Sequence, residues 1–194
     1  IDVIGKDGLR RSYSIANAPR QDGLLMLQIR RVVGGAMSNY WFDEAKQNDL
    51  LRLEGPLGTF CLRETSARTL ILLATGTGIA PIKAILEQLS TSAYPRKFEE
   101  IHLYWGGRFQ SDLYWEPLFE TLPLKVIPVL SREVPVAGFE GYVQDAVVHD
   151  QHDLFDAVVY ACGSEAMIHS AFLKLTSAGL AANNFFSDAF VSSN

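Results

Sequence analysis

Leu70-Ile-Leu-Leu-Ala-Thr-Gly-Thr-Gly-Ile-Ala-Pro81, running on into Ile82-Lys-Ala-Ile-Leu86, is the stretch on which the fold turns. Its first half is a short continuous apolar run, the pattern of a strand buried on both faces. Its second half places Ile79, Ile82, Ile85, Leu86 and Leu89 at helical spacing. Between them Gly76-Thr77-Gly78 forms a turn whose missing side chains let backbone approach a ligand. Pro81 falls in the first helical turn, where its absent N–H removes nothing. A strand, a glycine turn and a helix start aim free N–H groups and a positive helix end at an anion. Pro81 stands where the dinucleotide fingerprint has its third glycine, so that motif is not met in full.

Downstream, strand-like and helix-like stretches alternate. Strands are expected at 69–75, 100–106, 124–130, 156–162 and 184–188, and helices at about 79–91, 112–121, 141–149 and 164–178. Such alternation implies a parallel sheet, five-stranded here, covered by helices, with a ligand crevice beyond the carboxyl ends of the strands. Those ends carry Gly76-Thr77-Gly78, Gly106-Gly107-Arg108, Ser131-Arg132 and Cys162-Gly163-Ser164. Glycines, hydroxyls and two arginines on one rim suit a phosphate-bearing ligand.

Upstream the texture differs. Strands are expected at 10–15, 24–33, 49–54 and 59–63, with a short helix at 37–45 after Gly34-Gly35. These describe part of an antiparallel β-barrel over residues 1–65, followed by an α/β domain over 66–194. The chain opens Ile1-Asp-Val-Ile in apolar alternation, as though inside a strand, so the first barrel strands are expected upstream.

Composition narrows the function. The 194 residues are 48% hydrophobic and 20% charged, an ordinary globular balance. The net charge of -5 argues against nucleic-acid binding. Two cysteines, Cys61 and Cys162, are too few for a disulfide scaffold or a cysteine-held cluster, and a reducing, cytoplasmic setting follows. No apolar run reaches membrane-spanning length, and no membrane partner is expected. His149, Asp150, His152 and Asp153 form a polar cluster read as exposed loop, and His102 and His169 stand alone, so no metal site is expected.

Taken together, the motifs resemble the ferredoxin–NADP reductase superfamily, especially its bacterial flavin-reductase and oxygenase-reductase branches. Arg11-Ser-Tyr-Ser14 is similar to the Arg-x-Tyr-Ser flavin motif, and Gly35-Ala-Met-Ser38 to the turn that holds the FAD pyrophosphate. Gly55-Pro-Leu-Gly58, Gly76-Thr-Gly-Ile-Ala-Pro81, Tyr104-Trp-Gly-Gly-Arg108, Tyr160-Ala-Cys-Gly163 and Ser187-Asp-Ala-Phe190 follow in family order. The resemblance implies FAD and NAD(P)H as cofactors. FAD would be held by Arg11, Tyr13, Ser14, Ile29, Arg30, Gly35, Ala36, Met37, Ser38 and Phe190. NAD(P)H would meet Gly76, Thr77, Gly78, Gly106, Arg108, Ser131, Arg132, Cys162 and Gly163. Ser14 near flavin N5, Cys162 near the nicotinamide and Asp188 as a proton-transfer aid are the implied catalytic residues.

The implied reaction passes a hydride from NAD(P)H to flavin, then electrons to an iron–sulfur protein, separate or fused upstream, or to free flavin. Two readings compete with it. One is a non-catalytic electron-transfer or nucleotide-sensing subunit. The other is a flavin-free flavodoxin-like or response-regulator domain, which the strand ends disfavour by carrying glycines, Arg108 and Cys162 rather than an Asp.

Overall fold

The computed structural model describes residues 1–5, 8–91 and 98–190. Its larger part is a six-stranded, wholly parallel sheet in the order β7-β6-β5-β4-β8-β9. The strands are β4 (Thr69–Thr75), β5 (Glu100–Gly107), β6 (Leu124–Leu130), β7 (Phe139–Glu140), β8 (Ala157–Ser164) and β9 (Phe185–Phe190). β4 sits between β5 and β8, and its alternate side chains serve two cores. Leu70, Leu72 and Ala74 face Ile79, Ile82, Ile85 and Leu86 of α2 (Ile79–Ser90). Ile71 and Leu73 face Val143, Ala146 and Val147 of α3 (Val143–His149) and Ala171 and Leu175 of α4 (Glu165–Ser177). That double burial is why the central strand reads as unbroken hydrophobic sequence.

The amino-terminal part holds a three-stranded antiparallel sheet, β2-β1-β3, from β1 (Asp2–Ile4), β2 (Arg10–Ser12) and β3 (Arg52–Glu54). Asp2 binds this sheet together, accepting from Arg10 at 3.0 Å and Ser12 at 2.6 Å. α1 (Ala36–Asn39) continues as one wider turn over Tyr40–Glu44, close to the expected 37–45 helix.

Four expectations need correction. The parallel sheet has six strands, not five; β7 is two residues between Gly138 and Gly141, too short for any sequence period to register. Residues 24–33 form no extended strand and contribute one bridge, Ile15 to Leu27. Their apolar side chains Leu24, Leu25, Met26, Val32 and Val33 are exposed, because among the described residues no neighbouring strand completes a ladder beside them. Residues 59–63 likewise form no strand.

The fourth concerns 112–121, expected as a helix. Only a single tight turn forms, at Gln110–Asp112. The Asp112 carboxylate accepts the N–H groups of Arg108 and Phe109 at 2.7 and 3.0 Å, and Pro117 interrupts what would be the helix interior. Tyr114 and Trp115 instead pack on the buried Trp105.

Candidate functional site

Parallel strands end together, and the loops beyond β4, β5, β6 and β8 surround a cavity of about 1690 Å³. Its far wall is the 28–31 segment of the amino-terminal part, with Ile29 and Arg30 lining it. The volume exceeds the roughly 300–1,000 Å³ of a drug-sized pocket, as a dinucleotide lying beside a second large ligand requires.

Glycine geometry shapes the floor. Gly78 opens the helical run of α2, and a Cβ there would lie 2.1 Å from the Cys162 carbonyl oxygen. A Cβ on Gly163 would meet Thr75 Oγ1, also at 2.1 Å. Only glycine lets the two loops close on each other. Gly76 and Thr77 line the cavity, and Trp105 Nε1 donates to the Gly76 carbonyl at 3.3 Å, fixing the turn.

The two helix starts differ in charge. α2 has no acidic residue in its first turn, so its free N–H groups suit a phosphate. α4, capped by Ser164 accepting from Met167 N–H at 3.3 Å, carries Glu165 in its first turn. Glu165 lines the cavity and repels phosphate there, suiting sugar hydroxyls instead.

Of the residues expected to hold nucleotide, Gly76, Thr77, Gly106, Arg108 and Ser131 line the cavity. Arg132 lies beside them, its N–H donating to the Arg108 carbonyl at 3.0 Å. Cys162 is fully buried in the core beneath the cavity floor. Burial, and then the nearby Asp188 charge, push its thiol pKa far up, so it stays a neutral thiol.

The flavin-side residues also gather. Tyr13 stands edge-on to Trp41 with ring centroids 6.1 Å apart, and Trp41 Nε1 donates to Tyr13 Oη at 3.0 Å. Arg11 is half-buried, and its guanidinium donates to the Arg10 carbonyl at 2.8 Å, leaving further donors. Gly35 precedes α1, and the Ala36, Met37 and Ser38 N–H groups have no intrahelical acceptor. The Ser38 hydroxyl turns inward and accepts from Val32 N–H at 2.9 Å. Phe190, at the end of β9, lines the cavity.

Among the contacts between the two halves, one lies at the end of β9. Ser14 Oγ donates to Asp188 Oδ2 at 3.4 Å, and Asp188 is the register partner of Cys162. The early Tyr13-Ser14 pair and the late cysteine strand therefore meet. The cavity also takes in polar residues that were not anticipated, Gln144, Glu165 and Tyr142 among them. Gln144 is buried in the first turn of α3 and donates to Ser170, while its Oε1 has no partner. The Glu165 carboxylate at the cavity wall fits ribose hydroxyls, and the basic and hydroxyl groups on the rim fit phosphate. The residues present fit a dinucleotide.

Residues 2–61 match the oxidoreductase FAD-binding domain family, and residues 72–172 match the oxidoreductase NAD-binding domain family. The chain belongs to the ferredoxin–NADP reductase superfamily. It is 44% identical to the CDP-6-deoxy-L-threo-D-glycero-4-hexulose-3-dehydrase reductase of Yersinia pestis, over all of this chain and 59% of that protein. It is 36% identical to terephthalate 1,2-dioxygenase reductase component 1 of Comamonas, over 96% of this chain and 56% of that one. This superfamily member thus spans a little under three-fifths of such relatives. Among solved structures, Amycolatopsis cytochrome P450 reductase GcoB aligns with a TM-score of 0.82 at 27% identity, covering 97% of this chain and 59% of that one. A Neisseria gonorrhoeae ferredoxin NADP+ reductase shares the fold, with a TM-score of 0.77 at 22% identity over 97% and 83% of the two chains.

Proposed function

We propose that this chain is the flavin and nucleotide module of an NAD(P)H-dependent reductase that delivers electrons to an iron–sulfur acceptor or to free flavin. Bound flavin and nicotinamide supply the hydride and electron chemistry; the protein binds, orients and tunes them. The observation that supports the reading is the Ser14–Asp188 contact, which brings the Arg11–Ser14 stretch against β9, the strand beside the one that carries Cys162.

In this reading residues 1–65 take FAD and residues 66–194 take the nucleotide. Arg11 and the N–H groups of Ala36, Met37 and Ser38 hold the FAD pyrophosphate, and a charge-assisted Arg–phosphate contact contributes about 1.5–3 kcal/mol. Tyr13, fixed by Trp41, covers one face of the isoalloxazine, and Ile29 and Arg30 flank it. Phe190 covers the opposite face and yields when the nicotinamide enters. Ser14, anchored by Asp188, holds a hydrogen bond at flavin N5, where the hydride arrives.

The start of α2 takes the nucleotide pyrophosphate, through Gly76, Thr77 and Gly78. Glu165 suits ribose hydroxyls. Arg108, Ser131 and Arg132 receive the adenosine end, where an arginine pair suits a 2′-phosphate. Gly106, Gly163 and the neutral Cys162 shape the pocket rather than attack anything. The names of the relatives, reductase components serving dehydrase and dioxygenase systems, support an electron acceptor as partner.

The test is an absorbance titration of the flavin-loaded protein under argon, with NADH and then NADPH. Bleaching of the flavin band by one donor is expected, and added ferredoxin or free flavin then restores it. A protein that keeps its flavin yet is bleached by neither donor overturns the reading in favour of a non-catalytic subunit.

A further inference from the structure

At the end of the sheet opposite the crevice, a second set of ionisable side chains meets. Glu100 and His102 are the first and third residues of β5, so they share one face. His152 lies in the connection after α3, and its ring sits 4.2 Å from that of His102, centroid to centroid. Glu100, His102 and His152 each bring one ligand atom, and the three atoms lie within 4.8 Å of one another.

Hydrogen bonds orient these groups. Tyr104 Oη lies 2.7 Å from Asp150 Oδ2 and 2.5 Å from His152 Nε2. The Tyr104 hydroxyl donates to the Asp150 carboxylate. The Tyr104 oxygen is left as acceptor for His152 Nε2–H, which leaves a lone pair on His152 Nδ1. His102 is buried, with Nε2 3.0 Å from Glu100 Oε2, and its Nδ1 has no partner. His102 Nε2 and the Glu100 carboxylate already stand near the spacing that two ligands of one ion take, which makes Nε2 the nitrogen available to an ion. Lys125, the register partner of His102, sets one ammonium against the carboxylates of Glu100 and Asp150.

We propose that Glu100, His102 and His152 form a divalent transition-metal site, suited to zinc, with a water as fourth ligand. Two imidazoles and a carboxylate are borderline donors of the kind zinc takes, and tyrosine and aspartate behind a ligating histidine are the usual outer support. Zinc–ligand distances of about 2.0–2.2 Å set neighbouring ligand atoms roughly 3.4 Å apart, and the three atoms, all within 4.8 Å of one another, need only small movements to reach that spacing. The exposed Glu100 chain and the loop bearing His152 supply that movement. The bound ion ties β5 to the connection between α3 and β8, away from the cofactor crevice. His102 and His152 stand 50 positions apart, so only the fold joins them.

Calorimetric titration of the flavin-loaded chain with zinc chloride, paired with thermal unfolding in zinc or in EDTA, tests the site. One zinc per chain and a raised Tm are expected. Glu100→Gln and His152→Ala should each lose both effects while keeping the metal-free circular dichroism of the parent. Tyr104→Phe should weaken binding about 10–100-fold by freeing the His152 ring, and exposed His149→Ala should change nothing. No saturable zinc binding by the parent, or equal binding by Glu100→Gln, overturns the site. Glu100 is exposed, so that variant decides even if His152→Ala fails to fold.

Discussion

Ser14 and Asp188 are 174 positions apart, and their hydrogen bond is where the two nucleotide-binding halves touch beside the cavity. In the proposed function Ser14 acts at flavin N5 and Asp188 keeps its hydroxyl in place. Ser14→Ala should therefore slow flavin reduction at least tenfold in stopped flow, a loss of about 1.4 kcal/mol of transition-state stabilisation, with donor affinity kept. An unchanged rate would make the pair a structural link only. Cys162 offers a second residue-scale test. Its thiol is buried and held neutral, whereas Cys61 is exposed. Ellman's reagent should titrate one thiol in the folded protein and two in denaturant. Two fast thiols in the folded protein would place Cys162 within reach of solvent and revive a reactive role for it.

Elements that carry their own signals were legible in the sequence. β4 and α2 were read from one apolar run and one helical period, and α4 begins one residue after its cap at Ser164. The 24–33 run shows why others were not: its pattern suits a strand, but a strand needs a ladder, and pairing is not written locally. At 113–119 the aromatic side chains are claimed by Trp105 rather than by a helical face. The part of the candidate site at the strand ends was legible because glycines and arginines mark those ends. Gln144 was not, since a polar side chain on a short helix signals nothing until the fold buries it. The glycine turn makes the element-scale prediction. Gly78→Ala drives a methyl into the Cys162 carbonyl, backbone against backbone, with no flexible atom to yield. It should destabilise the protein by about 3 kcal/mol or more in urea unfolding. A loss below about 1 kcal/mol would mean that the turn and β8 are not in that contact.

The two halves are stitched together by several polar links, beside the packing of Phe60 and Leu62 on the core of the parallel sheet. Lys83 on α2 is buried and donates to the Ala16 carbonyl at 3.0 Å, and it also pairs with Glu87. Glu87 in turn accepts Ala18 N–H at 2.9 Å. Near the start of the parallel sheet, Tyr160 Oη accepts Arg63 N–H at 2.9 Å, and at the cavity mouth Tyr114 donates to Gln28 at 2.9 Å. Bonds that involve a charged group contribute about 1.5–3 kcal/mol, so the Lys83 and Glu87 bonds from α2 outweigh the neutral ones. The position of Lys83 one turn along α2 from the glycine turn means that the same helix presents the nucleotide loop and grips the segment following Ser14. Loosening that grip should separate the halves before it unfolds either. A Lys83→Met, Tyr160→Phe double variant should show two calorimetric transitions where the parent shows one, and flavin reduction should slow even though no binding residue has changed. A single transition with the parent rate would show that the Lys83 and Tyr160 links do not hold the crevice together.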